Sequence, residues 1–238
     1  MSYSRVPLLR GFTEIKQLFE LSEQFGATIC GGYARYCASP KPTDKVVRAG
    51  DVDLFPHNTD ATARILDALK SMGFVVKHEN EVSITMAAPK GAASIRHFPT
   101  PQIIKPVIQG AIVTLGTTEE ILNNFDFTIV RAAIISPSEV LVDDEFLEDE
   151  THNVLRLKNI HCPISSTLRC CKYARKGYWM RPSEALKLFL DWNNRGPEYQ
   201  GRMVELFTQS KLGRKSAENP DGMTQADIDE LESLLRVD

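Results

Sequence analysis

The alternation of apolar and polar residues predicts strands and helices in the first two thirds of the chain. Apolar residues at helical spacing predict helices over 13–25 and 59–72, each followed by a glycine that can end it. Thr117 and Glu120 form a capping pair that predicts a helix over 118–124. Strand patterns lie at 27–30, 51–55, 74–77, 82–87, 93–98, 102–107 and 125–135.

From residue 163 onward the pattern becomes helical. We predict helices over 164–176, 182–194, 198–209 and 224–236, with 211–222 as a polar linker. The order of elements predicts an α+β fold, a mixed sheet with helices on one side, followed by a C-terminal helical lobe. We place the domains at 1–158 and 159–238.

Composition narrows the class of protein without identifying it. The 238 residues are 42% apolar and 25% charged, with a net charge of -3, which is typical of a globular protein. This charge argues against a surface that coats nucleic acid, although a local basic groove is compatible with it. The five cysteines contain no CxxC pair, and no apolar run is long enough for a membrane helix. We expect a soluble cytoplasmic protein, in the host cytoplasm if it is viral, with no membrane partner.

Charge is uneven along the chain. Residues 143–150, DDEFLEDE, hold six acids in eight positions, which predicts a solvated helix face. Residues 151–183 hold seven Lys or Arg and no acid. This basic stretch falls on a predicted helix, where it is either a solvated face or a binding surface for phosphate.

The stretch CGGYARYCASPKPTDKVVRAGDVDLFP places two acids on one strand face. Asp51 and Asp53 alternate with Val52 and Leu54, so the apolar pair faces the core and the carboxylates project together. Like charges on one strand face repel each other, and a divalent cation between them relieves the repulsion. Two such ions can stabilise the attacking and leaving oxygens of a phosphoryl displacement. The alternative is a surface strand with solvated acids.

A glycine pair precedes this strand. Gly31 and Gly32 follow an apolar strand, and without a Cβ they let backbone amides approach a phosphate closely. The turn leads into a short predicted helix over 33–38, whose N-terminus favours anions. A simple tight turn is the alternative interpretation.

The two motifs in this order resemble the nucleotidyltransferase superfamily, which includes DNA polymerase beta, poly(A) polymerases and CCA-adding enzymes. Within it, GGYARY is most similar to the head of bacterial poly(A) polymerases and CCA-adding enzymes. Arg35 matches the arginine of that motif, and Tyr36 stands where the motif has aspartate. The segments PQIIKP and NNFDF also resemble nucleotidyltransferase-like proteins of phages and large viruses. Residues 1–158 would then be the nucleotidyltransferase domain.

The resemblance implies a third carboxylate on a nearby strand. Asp126, between Phe125 and Phe127, is the best match. The alternative for the third position is Gln102, which would leave one metal weakly held.

TLRCCKYARKGY resembles the family's Arg-rich helix, which approaches the incoming nucleotide. The resemblance implies that Arg169 and Lys172 contact the triphosphate. For Arg35 two hypotheses stay open, a phosphate contact or an ion pair with Asp51 or Asp53.

The implied activity is template-independent transfer of NMP from an NTP to an acceptor hydroxyl, with release of pyrophosphate. The partners would be NTP, two Mg²⁺ ions and an RNA acceptor such as a tRNA 3′ end. The implied catalytic and metal-binding residues are Asp51, Asp53 and Asp126, and the implied nucleotide-binding residues are Gly31, Gly32, Arg35, Arg169 and Lys172. Two alternatives stay open, a toxin-type transferase acting on a protein or small molecule, and a non-catalytic nucleotide-binding or scaffold protein. The base preference and the oligomeric state stay open as well.

Overall fold

The structure is a computed structural model that describes residues 2–79, 83–88, 99–105 and 116–209. The predicted strand at 93–98, the linker at 211–222 and the helix at 224–236 lie outside these residues.

Eight of the described strands form one mixed sheet. They are β1 (Tyr3–Pro7), β2 (Ala27–Cys30), β3 (Asp51–Pro56), β4 (Val75–Glu79), β5 (Ser83–Ala87), β6 (Thr100–Ile104), β7 (Ala132–Ser136) and β8 (Glu139–Asp143). Their order is β1-β8-β7-β2-β3-β6-β5-β4. Among these strands only β3 and β6 pair in parallel. The predicted α+β class is confirmed.

Eight α-helices fall within the described residues. They are α1 (Phe12–Phe25), α2 (Gly32–Ala38), α3 (Thr59–Ser71), α4 (Thr118–Asn123), α5 (Phe146–His152), α6 (Pro163–Ala174), α7 (Pro182–Asn194) and α8 (Gly196–Gln209). The Thr117–Glu120 capping box at the start of α4 is present, with both reciprocal bonds formed. Between α5 and α7, β9 (Val154–Leu155) and β10 (Trp179–Met180) form a separate two-stranded parallel sheet.

Both faces of the sheet are apolar, and different helices pack against them. Val52 and Leu54 are fully buried on the face that packs against α1, α2 and α3. The opposite face carries Cys30 and Phe55, and α4 covers part of it. The main helices therefore lie on one side, as predicted, with α4 on the other. Asp51 and Asp53 project from the α4 side because they alternate with Val52 and Leu54.

The region 125–135 was wrongly predicted as one strand. A short 3₁₀ turn, Thr128–Val130, precedes β7. The cause is the fully buried Arg131, whose guanidinium donates hydrogen bonds to the carbonyls of Phe125 at 2.9 Å and Asn123 at 3.1 Å. The chain curls around this cation, so residues 125–127 lie ahead of the strand.

The acidic run 143–150 was wrongly predicted as a solvated helix face. It covers the end of β8 and most of α5, and three of its acids, Asp143, Asp149 and Glu150, are buried. Each has a basic partner, because Arg131 pairs with Asp143, Arg156 with Asp149 and Arg35 with Glu150. Strands β1 and β8 were not predicted.

The C-terminal helices agree with the sequence pattern. The predicted bounds of α7 are reproduced, and those of α6 and α8 are within two residues. Aromatic residues Phe127, Tyr173 and Tyr178 belong to a second core that joins this part to the 3₁₀ turn and β9. The domain boundary at 158/159 stays a prediction. Within the described part of the chain, no helix has the length and apolar character needed to cross a bilayer.

Candidate functional site

Gly31 forms the turn between β2 and α2, beside the carboxylate of Asp53. Its φ of 78° is left-handed, a conformation that suits glycine, and its amide donates to the carbonyl of Ala132 at 2.9 Å. A Cβ on Gly31 would lie 3.3 Å from the Phe125 ring and 3.4 Å from Asp53 Oδ2. The absence of a side chain therefore leaves open the space between the turn, the Phe125 ring and the Asp53 carboxylate.

The two acids of β3 are presented as the alternation predicts. Asp51 is exposed and Asp53 is half-buried, while Val52 between them is fully buried. Asp53 pairs with Cys30 across β2 and β3. Burial raises the pKa of the Cys30 thiol, and the negative charge of Asp53 raises it further. The charge of the Asp53 carboxylate therefore acts on Cys30, the last residue of β2.

Asp53 belongs to a row of side chains that crosses the sheet. It pairs in register with Gln102 of β6, and Gln102 pairs with Thr85 of β5. Paired residues of neighbouring strands project from the same face. Gln102 is half-buried, and its Nε2 donates to Ser83 Oγ at 3.0 Å. The side chain next to Asp53 on the parallel strand is thus an amide.

Gly32 has more space than Gly31. It begins α2, and a Cβ there would meet only Ala49 Cβ at 3.5 Å, an ordinary van der Waals contact. Folding alone therefore does not explain glycine at this position.

Asp126 lies in the segment before the 3₁₀ turn and is buried. Its Oδ2 accepts hydrogen bonds from Arg169 Nη1 at 2.7 Å and from Ser166 Oγ at 3.0 Å, both on α6. The structure thus brings together two predicted site residues, Asp126 and Arg169, as an ion pair. Lys172 follows Arg169 by three positions and is half-buried. The predicted contacts of Arg169 and Lys172 with triphosphate stay predictions.

Arg35 points into a buried polar cluster. Its Nη1 donates to Glu150 Oε1 at 3.2 Å and to Tyr178 Oη at 2.6 Å, and its Nη2 donates to the Val47 carbonyl at 3.0 Å. Burial lowers the pKa of Arg35, but Glu150 and the tyrosines raise it more, so the net shift is upward. Its phosphate contact stays a prediction, and the carboxylate that it pairs with is Glu150.

Sequence reasoning missed Glu150 and Tyr178 as members of this cluster. Ser39 and Tyr178 both donate to Glu150, at 2.7 and 2.5 Å. One signal was available, because Glu150 follows Phe146 by four positions, and helical spacing places the two on one face. Phe146 is fully buried, so this face of α5 points inward.

The acids can be tested for their fit to a divalent metal. Within the described residues, no group of three or more His, Cys, Asp or Glu side chains is arranged to hold a metal ion. Asp51 and Asp53 with the glycine turn fit the way Mg²⁺ is usually held, by one or two carboxylates and the phosphates of a substrate. The structure does not gather Asp126 with this pair into a three-carboxylate cluster.

The sequence matches one protein family over more than half of its length. The profile of Gad2, described as the Gabija anti-defense 2 family protein, matches residues 8–152. The chain belongs to the Gabija anti-defense 2 family. The matched region contains the glycine turn, both acids of β3, Gln102 and Asp126. No curated protein matches the sequence.

Solved structures similar to this family member include CCA-adding enzymes and a tRNA nucleotidyltransferase. A CCA-adding enzyme in its apo form has a TM-score of 0.55 and 18% identity, covering 92% of this chain and 54% of that one. A tRNA nucleotidyltransferase with a primer tRNA and an incoming ATP analog has a TM-score of 0.53 and 18% identity, covering 91% and 59%. The Bacillus stearothermophilus CCA-adding enzyme with CTP has a TM-score of 0.52 and 14% identity, covering 87% and 47%.

These similarities show that the chain has a nucleotidyltransferase-type fold. The chain spans between about half and three fifths of the length of these neighbours.

Proposed function

We propose that this protein is a nucleotidyltransferase that moves NMP from an NTP to an acceptor. The observation that carries the proposal is that the Asp53 carboxylate lies beside the Gly31 turn, 3.4 Å from where a Cβ of residue 31 would be, on a strand that also presents Asp51. A phosphate-accepting turn beside two carboxylates is what a metal-bound triphosphate requires.

Each group of site residues would have its own role in this reaction. Asp51 and Asp53 would hold Mg²⁺, which supplies charge stabilisation at the phosphate oxygens during an in-line displacement. The Gly31 amide, which donates to the Ala132 carbonyl, would fix the turn, and the backbone at Gly32 would orient the triphosphate so that its α-phosphate faces the acceptor. The buried Arg35–Glu150 pair would fix α2 and hence the turn. The role of Asp126 as a further metal ligand stays a hypothesis, since its carboxylate already serves Arg169 and Ser166.

An RNA acceptor is the first candidate. The solved neighbours include a tRNA nucleotidyltransferase bound to a primer tRNA. The stretch 151–183, with its seven basic residues and no acid, would contact the RNA backbone. On this account the acceptor is a terminal RNA hydroxyl.

A protein of the Gabija defence is the second candidate acceptor. It is favoured by the family description, which names an activity against that defence. It is also favoured by the use of Arg35 and Arg169 in internal ion pairs, which leaves less positive charge for an RNA backbone. A protein hydroxyl needs only the triphosphate site and no broad basic groove.

The experiment is a transfer assay with each NTP labelled at its α-phosphate, in the presence of Mg²⁺. One arm contains total RNA and the other contains an extract of cells that express the Gabija defence. Label on RNA or on protein identifies the acceptor, and the Asp51→Ala, Asp53→Ala double variant should transfer none. Transfer undiminished in the double variant, or no transfer in either arm, would contradict the proposal and favour a non-catalytic nucleotide-binding role.

A further inference from the structure

The row of paired side chains across β3, β6 and β5 raises a question about the position next to Asp53. Cys30, Asp53, Gln102 and Thr85 occupy successive strands in register. Neighbouring strands are about 4.8 Å apart, so the side chain of residue 102 is the nearest cross-strand neighbour of Asp53 on the β6 side. A carboxylate at this position would complete a three-acid site.

We infer that Gln102 occupies the third ligand position of this site and thereby sets its affinity for metal. The inference rests on the proposed function and deepens it. With an amide in place of a carboxylate, the site carries two negative charges from Asp51 and Asp53. A divalent cation is held less strongly by two charges than by three, so the metal binds well only together with the triphosphate.

The surroundings of Gln102 hold its side-chain amide in one orientation. The Nε2 group donates to Ser83 Oγ at 3.0 Å on β5, and Ser83 is buried. This bond assigns the amide nitrogen to the β5 side of the row. An amide oxygen is an acceptable ligand for a hard cation, but it is neutral and cannot take a proton from an acceptor hydroxyl.

The placement of Asp126 supports the same inference independently. Its carboxylate is buried and accepts bonds from Arg169 and Ser166 on α6. A metal ligand there would lose or share the Arg169 contact, whereas Gln102 lies in register with Asp53 without any such rearrangement.

The test measures Mn²⁺ binding by the loss of the free-ion electron paramagnetic resonance signal, with the full chain and without nucleotide. Gln102→Glu adds one charge beside Asp53, and the Ser83 hydroxyl can donate to the new carboxylate. Thr85→Glu is the matched control, because it adds the same charge to the same face one strand further away. Gln102→Asp serves as a second variant should Gln102→Glu fold poorly.

We expect Gln102→Glu or Gln102→Asp to tighten Mn²⁺ binding by on the order of tenfold or more, and Thr85→Glu to change it much less. Adding Asp53→Asn to Gln102→Glu should abolish the gain. Equal binding by the Gln102 and Thr85 variants, or a gain that survives Asp53→Asn, would overturn the inference.

The result is separable from the transfer assay. A wild-type protein that transfers nucleotide while the Gln102 variants gain no affinity would retain the proposed function and lose this inference. A protein that transfers nothing while Gln102→Glu gains Mn²⁺ through Asp53 would retain the inference and lose the function.

Discussion

Arg169 and Asp126 form an ion pair of 2.7 Å that joins helix α6 to the segment before the 3₁₀ turn. The Asp126 side chain is almost fully buried, and that of Arg169 is 23% exposed. The same carboxylate accepts a bond from Ser166. This pair connects the helical part of the chain with the segment that leads through the 3₁₀ turn into β7.

Asp126→Asn is therefore expected to lower the free energy of unfolding. The change removes one charge of a buried pair, at a cost of about 1–3 kcal/mol. Urea denaturation of Asp126→Asn, Arg169→Met and the double variant would give the coupling energy of the pair. An unchanged unfolding free energy, together with weaker Mn²⁺ binding in Asp126→Asn, would instead identify Asp126 as a metal ligand.

The two glycines are expected to respond differently to alanine. Gly31→Ala places a Cβ at a left-handed φ and against Phe125 and Asp53, and should destabilise the fold by about 1–3 kcal/mol. Gly32→Ala has room, so its unfolding free energy should stay the same or rise by up to about 1 kcal/mol.

The informative measurement on Gly32→Ala is nucleotide binding by isothermal titration calorimetry. If the backbone at Gly32 approaches the triphosphate, a Cβ there should weaken Mg·NTP binding in a fully folded protein. Wild-type affinity in Gly32→Ala would show that Gly32 does not lie against the phosphates.

The Arg35–Glu150 pair should act on stability. Both side chains are buried, and Glu150→Gln leaves Arg35 without its charged partner, which is expected to cost about 3–5 kcal/mol. Glu139→Gln is the control, because its pair with Arg5 is exposed and should contribute about 0–1 kcal/mol. Both values are measurable by chemical denaturation. If Arg35→Met unfolds like the wild type but loses NTP affinity, Arg35 is a phosphate ligand.

Histidine burial predicts how stability depends on pH. Desolvation by burial lowers the pKa of His57, whose Nε2 lies 2.7 Å from Thr28 Oγ. Desolvation likewise lowers the pKa of His161, an effect that Asp126 partly offsets. The folded state disfavours the protonated rings. The contribution of the neutral rings to the free energy of unfolding is therefore complete above the unfolded pKa of about 6.5, and it is lost as the pH falls through their lower pKa in the folded state.

The midpoint of thermal unfolding should therefore decline as the pH falls below the unfolded pKa of about 6.5. The decline should be shallower in His57→Gln, and unchanged in His152→Gln, which alters an exposed histidine. Parallel pH profiles for His57→Gln and wild type would contradict this assignment.

Local sequence patterns predicted the structure correctly where it depends on residues within a single helix or strand. Val52 and Leu54 are buried and Asp51 and Asp53 project from the other face, as period-2 alternation predicts. The Thr117 capping box and the bounds of α7 were also readable, because they depend on residues only a few positions apart.

Patterns failed where a distant partner decided the outcome. Asp149 and Glu150 were predicted to be solvated. They are buried instead, because Arg156 and Arg35 form ion pairs with them. Arg131 falls within the predicted strand 125–135, yet its guanidinium bonds to the carbonyls of Phe125 and Asn123 and so organises the turn before β7. The neighbour of Asp53 depends on the register of β3 with β6, about fifty residues away, which local pattern does not specify.

Asp51 and Asp53 also offer an equilibrium test of ligand binding. A ligand present at a hundred times its dissociation constant stabilises the folded state by about 2.7 kcal/mol. Mg·NTP should raise the thermal midpoint of the wild type accordingly, and should leave that of the Asp51→Asn, Asp53→Asn double variant unchanged. An equal rise in both proteins would mean that the nucleotide binds elsewhere.

The most direct measurement is a crystal structure of the protein with Mg²⁺ and a non-hydrolysable NTP. We expect metal density between the carboxylates of Asp51 and Asp53 and the triphosphate, with the phosphates against the backbone of Gly31 and Gly32. A nucleotide bound away from β3, or a triphosphate at the turn whose metal contacts neither aspartate, would contradict this expectation.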